Sequence, residues 1–363
     1  MARISLAGIV CMGPGSPGLG RTLPVPLPAG DPPLLLTAMP AAPGPASSAS
    51  AGDRAILAHH LVDALEQPRS QVVDIVRMVT SAQPRAEGPL PARPSLAALN
   101  VVAQAQLLRP PGAERGDARD LAHYRRLLAP LTPASQAQLM CLFEQLGQVG
   151  AVPPAAGDYD YLLVHGGTVG MMRARLMYLA TALVQGEIGL TSVAQVIFLQ
   201  GERPLSRQER EVALLDPAPY RARPGWQAPA QVPDDERMAA VWIWDQLDLP
   251  AILRRRRPLY VDACRRPGQP RAQTEDCVGQ WLVDYAPASG RALMVSNNPF
   301  VVYQRLVTRL SLARLGFHCL QLEACGPAAV VEADPIVSLA PLLDSLARSL
   351  YVQRALTAVG PAP

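Results

Sequence analysis

The sequence predicts an α/β protein: a doubly wound, mostly parallel five-stranded sheet of the Rossmann-like kind, preceded by a helical region and a disordered tail. Three observations carry this. Short apolar runs alternate with helical patterns through the second half of the 363-residue chain. The first of those runs, Tyr161 to Val164, leads into His165, a Gly166-Gly167 pair and then a helical pattern, which is how many α/β domains open a ligand site. The first fifty or so residues are dominated by Pro, Gly, Ala and Ser, a composition that cannot sustain a helix or strand.

Residues 1–50 are accordingly expected to be a disordered tail. Residues 51–150 form the helical region. Asp53 can cap a helix through Gln67, with Ile56, Leu57, Val62 and Leu65 near one face. Ser70 opens a second helix, carrying Val72, Ile75, Val76 and Val79. Ser95 caps a third, and the stretches from Asp117 to Leu128 and from Ser135 to Leu146 complete five. His59 and His60 point about 100° apart on a helix and cannot easily share a metal. The run from Gly147 to Gly157, rich in Pro, Ala and Gly, reads as a linker.

The α/β domain occupies 157–360. Its strands are expected at Tyr161 to Val164, Gln195 to Leu199, Leu259 to Asp262, Ala292 to Val295 and Phe317 to Leu322. Helices are expected from Val169 to Val184, Asp234 to Leu247, Thr274 to Asp284 and Tyr303 to Leu315, with a closing helix from Pro335 to Leu356. The polar, proline-rich segment after Gly201 reads as an insertion. Parallel topology would carry the ends of all five strands to one edge, where ligands bind in such sheets.

Composition excludes several function classes. A net charge of +3 is too small to argue for nucleic acid or an anionic membrane. The run Arg254 to Arg257 reads as a solvated helix end facing a macrodipole's negative pole. No stretch of eighteen apolar residues is present, so no membrane span is expected. The start, MARISLAGIVCM, has one arginine and a short apolar run but meets GPGSPGLG without a cleavage site, a poor match to a secretory signal. The six cysteines form no CxxC pair and match no zinc spacing, so they are expected as reduced thiols, and no metal site is expected. All 33 basic residues are arginine and lysine is absent. Coding bias of a GC-rich genome explains that. So would delivery into a eukaryotic cell, where a chain without lysine escapes ubiquitin attachment.

Candidate chemistry lies at the strand ends. Gly166, Gly167 and Thr168 let the backbone approach an anion at a helix start. Arg173 and Arg175 follow one to two turns into that helix, and Arg173 is assigned the neutralising role. Ser296, Asn297 and Asn298 hold two of the chain's three asparagines, whose amides suit a ligand or a strained loop. Asp235 and Glu236, and Thr274 and Asp276, crowd two helix starts, where capping explains one or two of them. If their loops line the same edge, Glu236 or Asp276 is the expected acid or base. His165 joins the ligand contacts. No GxSxG elbow, HExxH or Cys–His arrangement is present.

The order of these pieces resembles the SanA/YdcF-like family of bacterial α/β proteins, over roughly residues 159–325. The counterparts are LLVHGGT with Arg173 or Arg175, then Asp235-Glu236, then Gln273-Thr274-Glu275-Asp276-Cys277, then MVSNNPF. The family's later His and Arg would fall on Phe300 and Tyr303, so both are replaced, and the Asn-Thr-x-Glu-Asn motif loses both asparagines. The resemblance implies an α/β fold and a nucleotide-like ligand, in a family without one well-settled reaction. The expected function is binding of a small phosphate- or nucleotide-bearing molecule, with a reaction on it left open, as is any cofactor. The alternative is a bacterial effector or interaction protein exported by a type III-like system, engaging a protein partner through the helical region. The expected location is the bacterial cytoplasm or, on that alternative, outside the cell.

Overall fold

A parallel sheet needs both faces covered, because its crossovers lay helices on each side. The strands here alternate accordingly. Leu162, Val164, Val196, Phe198, Leu293 and Val295 pack on one face, and Leu163, Ile197, Leu199, Val261 and Met294 on the other. The computed structural model describes residues 69–81, 90, 93–113, 116–269 and 271–359. The expected tail and the helix expected from Asp53 lie outside the described residues.

Four helices come first: α1 (Arg69–Ser81), α2 (Leu96–Gln106), α3 (Ala118–Leu128) and α4 (Pro133–Gln145). Ser95, Asp117 and Thr132 cap α2, α3 and α4 by accepting from the N–H three residues on. The last begins two residues before the expected Ser135, because Pro133 suits the first helical position. Ile75, Val76, Leu99, Tyr124, Leu128, Leu139 and Phe143 form their common core.

The alternating half follows as β1 (Gly157–His165), α5 (Val169–Val184), β2 (Ile188–Gly201), a short π-helical turn (Glu209–Ala213), α6 (Glu236–Gln246), α7 (Ala251–Arg254), β3 (Leu259–Ala263), α8 (Thr274–Tyr285), β4 (Gly290–Val295), α9 (Val301–Leu315), β5 (Leu320–Cys325) and α10 (Pro335–Val359). The sheet order is β3-β2-β1-β4-β5 and every neighbouring pair is parallel. The doubly wound five-stranded sheet is therefore present, all-parallel where mostly parallel was expected.

Two strands differ from expectation. β2 starts at Ile188, well before Gln195, and bulges: Tyr159 pairs with Leu190 but Tyr161 with Gln195. The added residues, Ile188 to Ala194, do not alternate: Ile188 and Ala194 are buried, Val193 is exposed, and Thr191 and Ser192 interrupt the apolar pattern. Arg256 holds the bulge by donating to the carbonyls of Thr191 (2.9 Å) and Ser192 (2.8 Å). β5 runs three residues later than Phe317 to Leu322. Gly316 turns out of α9 at φ 78°, and a turn intervenes before Leu320. In the arginine run, Arg255 and Arg257 are exposed. Arg254 donates to Trp244 O (2.6 Å) and Leu247 O, at the carboxyl end of α6.

The helical region shares its core with the last helix. Leu339, Leu343, Leu346 and Leu350 of α10 pack into the same cluster as Phe143 and Leu139. Asp344 anchors this contact. Its carboxylate accepts from the Arg109 backbone (3.2 Å), from Arg109 Nη2 (2.7 Å) and from Arg348 Nε (2.9 Å). Burial opposes its charge, but Arg348 and Arg109 outweigh that and hold its carboxyl below the usual range. The expected linker is also pinned. Val152 bridges Gly326 and Ala329 N donates to Val149 O (2.8 Å).

Among the described residues Cys141, Cys277, Cys319 and Cys325 are free thiols, and no helix is long and apolar enough to cross a membrane.

Removing one partner of a buried charge network leaves the others unpaired. Asp344→Ala is therefore expected to cost about 3–5 kcal/mol in urea denaturation. Glu211→Ala, which breaks the exposed Arg207–Glu211 pair at 2.8 Å, should cost under about 1 kcal/mol.

Candidate functional site

The chain leaves β1 toward β2 and β3, then returns to the other side of β1 at β4. The crevice beyond β1 and β4 is the topological switch point, the usual ligand site of this architecture. Here a side chain fills it. Arg175, one and a half turns into α5 and fully buried, donates from Nη1 to His165 O (2.7 Å) and Gly166 O. Its Nε (3.0 Å) and Nη2 (2.6 Å) donate to Asn297 Oδ1. One guanidinium thus binds the end of β1 to the end of β4.

A second arginine closes the side toward β2. Arg203, just past β2, donates from Nε to Glu236 Oε2 (2.5 Å), from Nη1 and Nη2 to Glu209 (3.0 Å each), and from Nη2 to Gly167 O (2.8 Å). Burial works against its charge, yet the two carboxylates outweigh burial and raise its pKa. Glu209 keeps its carboxyl below the usual range, because Arg203 and the Ser206 backbone overcome its burial. Burial raises the Glu236 carboxyl despite Arg203. Glu236 lies directly against Gly166: a Cβ there would collide with Glu236 Oε1 and approach Leu199 O at 3.0 Å. That contact is why residue 166 has to be glycine.

The four expected loops therefore converge. The first meets the last through Arg175 and meets the second through Glu236 and Arg203. The third arrives through Ala272 N, which donates to Glu202 O (3.3 Å), and through Cys277, whose thiol lies 3.1 Å from a Cβ built on Gly201. Burial, with Glu236 and Asp276 adding to it, pushes that thiol well above its ordinary range, so it stays protonated and is no nucleophile.

Most of the expected ligand groups are engaged internally. His165 is buried, and burial with Arg175 pushes its pKa down to about 3, so the ring is neutral and takes no proton near neutrality. Ser296 donates to Gln304 Oε1, and Asn298 Nδ2 donates to Gly147 O (2.8 Å) and Gly150 O (2.5 Å). Thr168 caps α5 through Met171 N (3.4 Å), and Glu209 Oε1 accepts from Val169 N (3.2 Å). A carboxylate of the chain itself thus holds the helix start where a ligand anion was expected. Arg173 is elsewhere. It donates to the carbonyls of Ala213 (2.6 Å), Leu214 (3.1 Å) and Asp216 (2.8 Å) and to Gln246 Oε1 (2.6 Å), fastening the π-helical turn. Arg175 points to the edge in its place.

Asp235 caps α6 through Met238 N (2.7 Å). Asp276 accepts from Gln273 N (2.8 Å) and pairs with Arg266 Nε (2.5 Å), so it is committed to the start of α8. Thr274 begins that helix, half-buried. Gly166, Gly167 and Asn297 are half-exposed, and Thr168 is exposed.

The sequence reading passed over Arg271. It is solvent-exposed, directly before α8; its carbonyl accepts from Gln273 Nε2 (3.2 Å), and its guanidinium makes no hydrogen bond or ion pair among the described residues. Surrounding protein lowers its pKa; Glu236 opposes this, and the like charges of Arg109, Arg203 and Arg348 add to it. Arg348 of α10 also faces the Tyr303 hydroxyl. Arginines from four separated segments therefore lie within electrostatic reach of one another about Arg271. In a chain with 33 arginines no local signal distinguishes them.

Comparison with protein-family models, with curated proteins and with solved structures finds no match.

In the unfolded chain His165 accepts a proton below about pH 6.5, whereas the folded ring resists until about pH 3. Proton uptake then favours unfolding, so stability falls with pH by about 1.4 kcal/mol per unit in that window. Between pH 7 and 5 the protein should lose about 2 kcal/mol more than His165→Leu in denaturant titrations. Glu236, raised by burial, titrates in both proteins and drops out of the difference. Gly166→Ala should cost about 1–3 kcal/mol by displacing Glu236 from Arg203.

Proposed function

We propose that this chain binds a small ligand bearing a phosphate-like anion, of nucleotide-like chemistry, at the carboxyl edge of its sheet. The observation that carries this is Arg271: an exposed guanidinium with no partner, among like charges, beside a glycine loop. A guanidinium left unpaired amid other cations is a ready ligand for an anion with several oxygens. In this reading the anion lies at Arg271, with Arg348 near, and the half-exposed Gly166, Gly167 and Asn297 border the rest of the molecule. The start of α5, held by Glu209, is not its seat.

The SanA/YdcF-like resemblance fits the same reading. The family's arginine falls on Tyr303, and here Arg348 and Arg271 bring cationic groups to that tyrosine from other elements. The geometry supports binding before catalysis. Asp276 is tied into a cap, His165 is buried and neutral, and Glu236 is ion-paired and covered.

The test is calorimetric titration of the full chain with inorganic phosphate, pyrophosphate and AMP in an otherwise anion-poor buffer. At least one should bind, and Arg271→Ala should weaken it about 10- to 100-fold, the loss of a charge-assisted hydrogen bond. Absence of binding by all three, or equal affinity in Arg271→Ala, would overturn the proposal.

A further inference from the structure

Away from the sheet edge, helices α1, α9 and α10 and the end of α4 enclose a cavity of about 160 Å³. Its walls are mainly apolar, with Val72, Leu146, Leu306, Leu346 and Leu350 among them. Such a space, about the size of one that holds benzene, would normally be closed by packing. Two polar groups make it unlike a packing defect. Arg305 reaches it from α9, and its Nε is buried without a hydrogen-bond partner. No acid pairs with Arg305 among the described residues, and the charge nearest to it is the like charge of Arg309, one turn on. Gln148, 4% exposed, also faces the cavity, and its Oε1 has no partner. Its amide can present either its oxygen or its NH₂ to an occupant.

Arg305 is half-buried, and a buried guanidinium N–H without an acceptor is costly. Here it sits at an apolar space with an unsatisfied amide beside it. We infer that this cavity is a binding site for a short-chain carboxylate, whose tail fills the apolar walls and whose carboxylate pairs with Arg305 and accepts from Gln148. The pair would be bidentate in the manner of arginine and carboxylate. The site is independent of the sheet edge, since neither Arg271, Arg203 and Glu236 nor the glycine and asparagine loops are among its wall residues.

Hexanoate is the probe, with hexan-1-ol and hexylamine of the same chain length as controls. Affinities come from calorimetry on the full chain at pH 7, and stability from thermal melting. Hexanoate should bind and raise the melting temperature, at least about tenfold tighter than the alcohol, and the amine should not bind. Arg305→Met should fold about as stably as the parent, because it removes a half-buried guanidinium whose Nε has no partner and keeps an unbranched apolar side chain. It should lose about tenfold or more in hexanoate affinity while keeping its affinity for the alcohol. Leu350→Phe, which fills the space, should abolish both, and Arg271→Ala should change neither. The inference fails if hexanoate does not bind, if it binds no better than the alcohol, if Arg305→Met binds it like the parent, or if Arg271→Ala weakens it.

Discussion

One buried guanidinium sets the geometry of the sheet's working edge. Arg175 has no exposed surface and must satisfy its donors inside the protein. It does so on His165 O, Gly166 O and Asn297 Oδ1, that is, on the ends of the two central strands. The glycine loop and the asparagine loop therefore cannot move independently. It also closes the switch-point crevice, which similar sheets leave open to a ligand.

The charges beside it follow from that closure. Arg203 lies between Glu209 and Glu236 and also holds Gly167 O. Glu209, carried on the π-helical turn that Arg173 fastens, reaches the start of α5. The positive end of that helix is thereby neutralised from within. Arg271, exposed directly before α8, keeps a guanidinium without a hydrogen bond or ion pair among the described residues. The electrostatic logic of the fold survives, but the place where a ligand's charge would be met is displaced toward α8.

The helical region belongs to the same system. Arg109 reaches Asp344 on α10, Asp344 also holds Arg348, and Arg348 faces Tyr303 on α9 at the edge. Asn298 ties the strand end to Gly147 and Gly150, where the helical half stops. The helical region and α10 thus position two of the arginines that lie within electrostatic reach of Arg271.

Local pattern by itself determined the element order. Apolar alternation marks β1, β3 and β4 within a few residues, caps at Ser95, Asp117 and Asp235 mark helix starts, and strand–helix alternation implies a parallel sheet. These signals are local because hydrogen-bond period and capping involve residues at most four apart. Parallel topology also implied that the loops at 165–168, 235–236, 274–276 and 296–298 would lie toward one edge. Local pattern could not see the first half of β2, whose bulged, irregular burial gives no alternating pattern and whose register is set by pairing with β1. Only the tertiary structure decided which polar groups are free. Arg173 and Arg175 are two residues apart and equal in composition, yet one fastens a turn and the other closes the switch point. Arg271 is one arginine among 33, and its partners would have to come from segments distant in sequence. Whether a charge is compensated depends on what folding brings within a few ångströms of it, which no local spacing records.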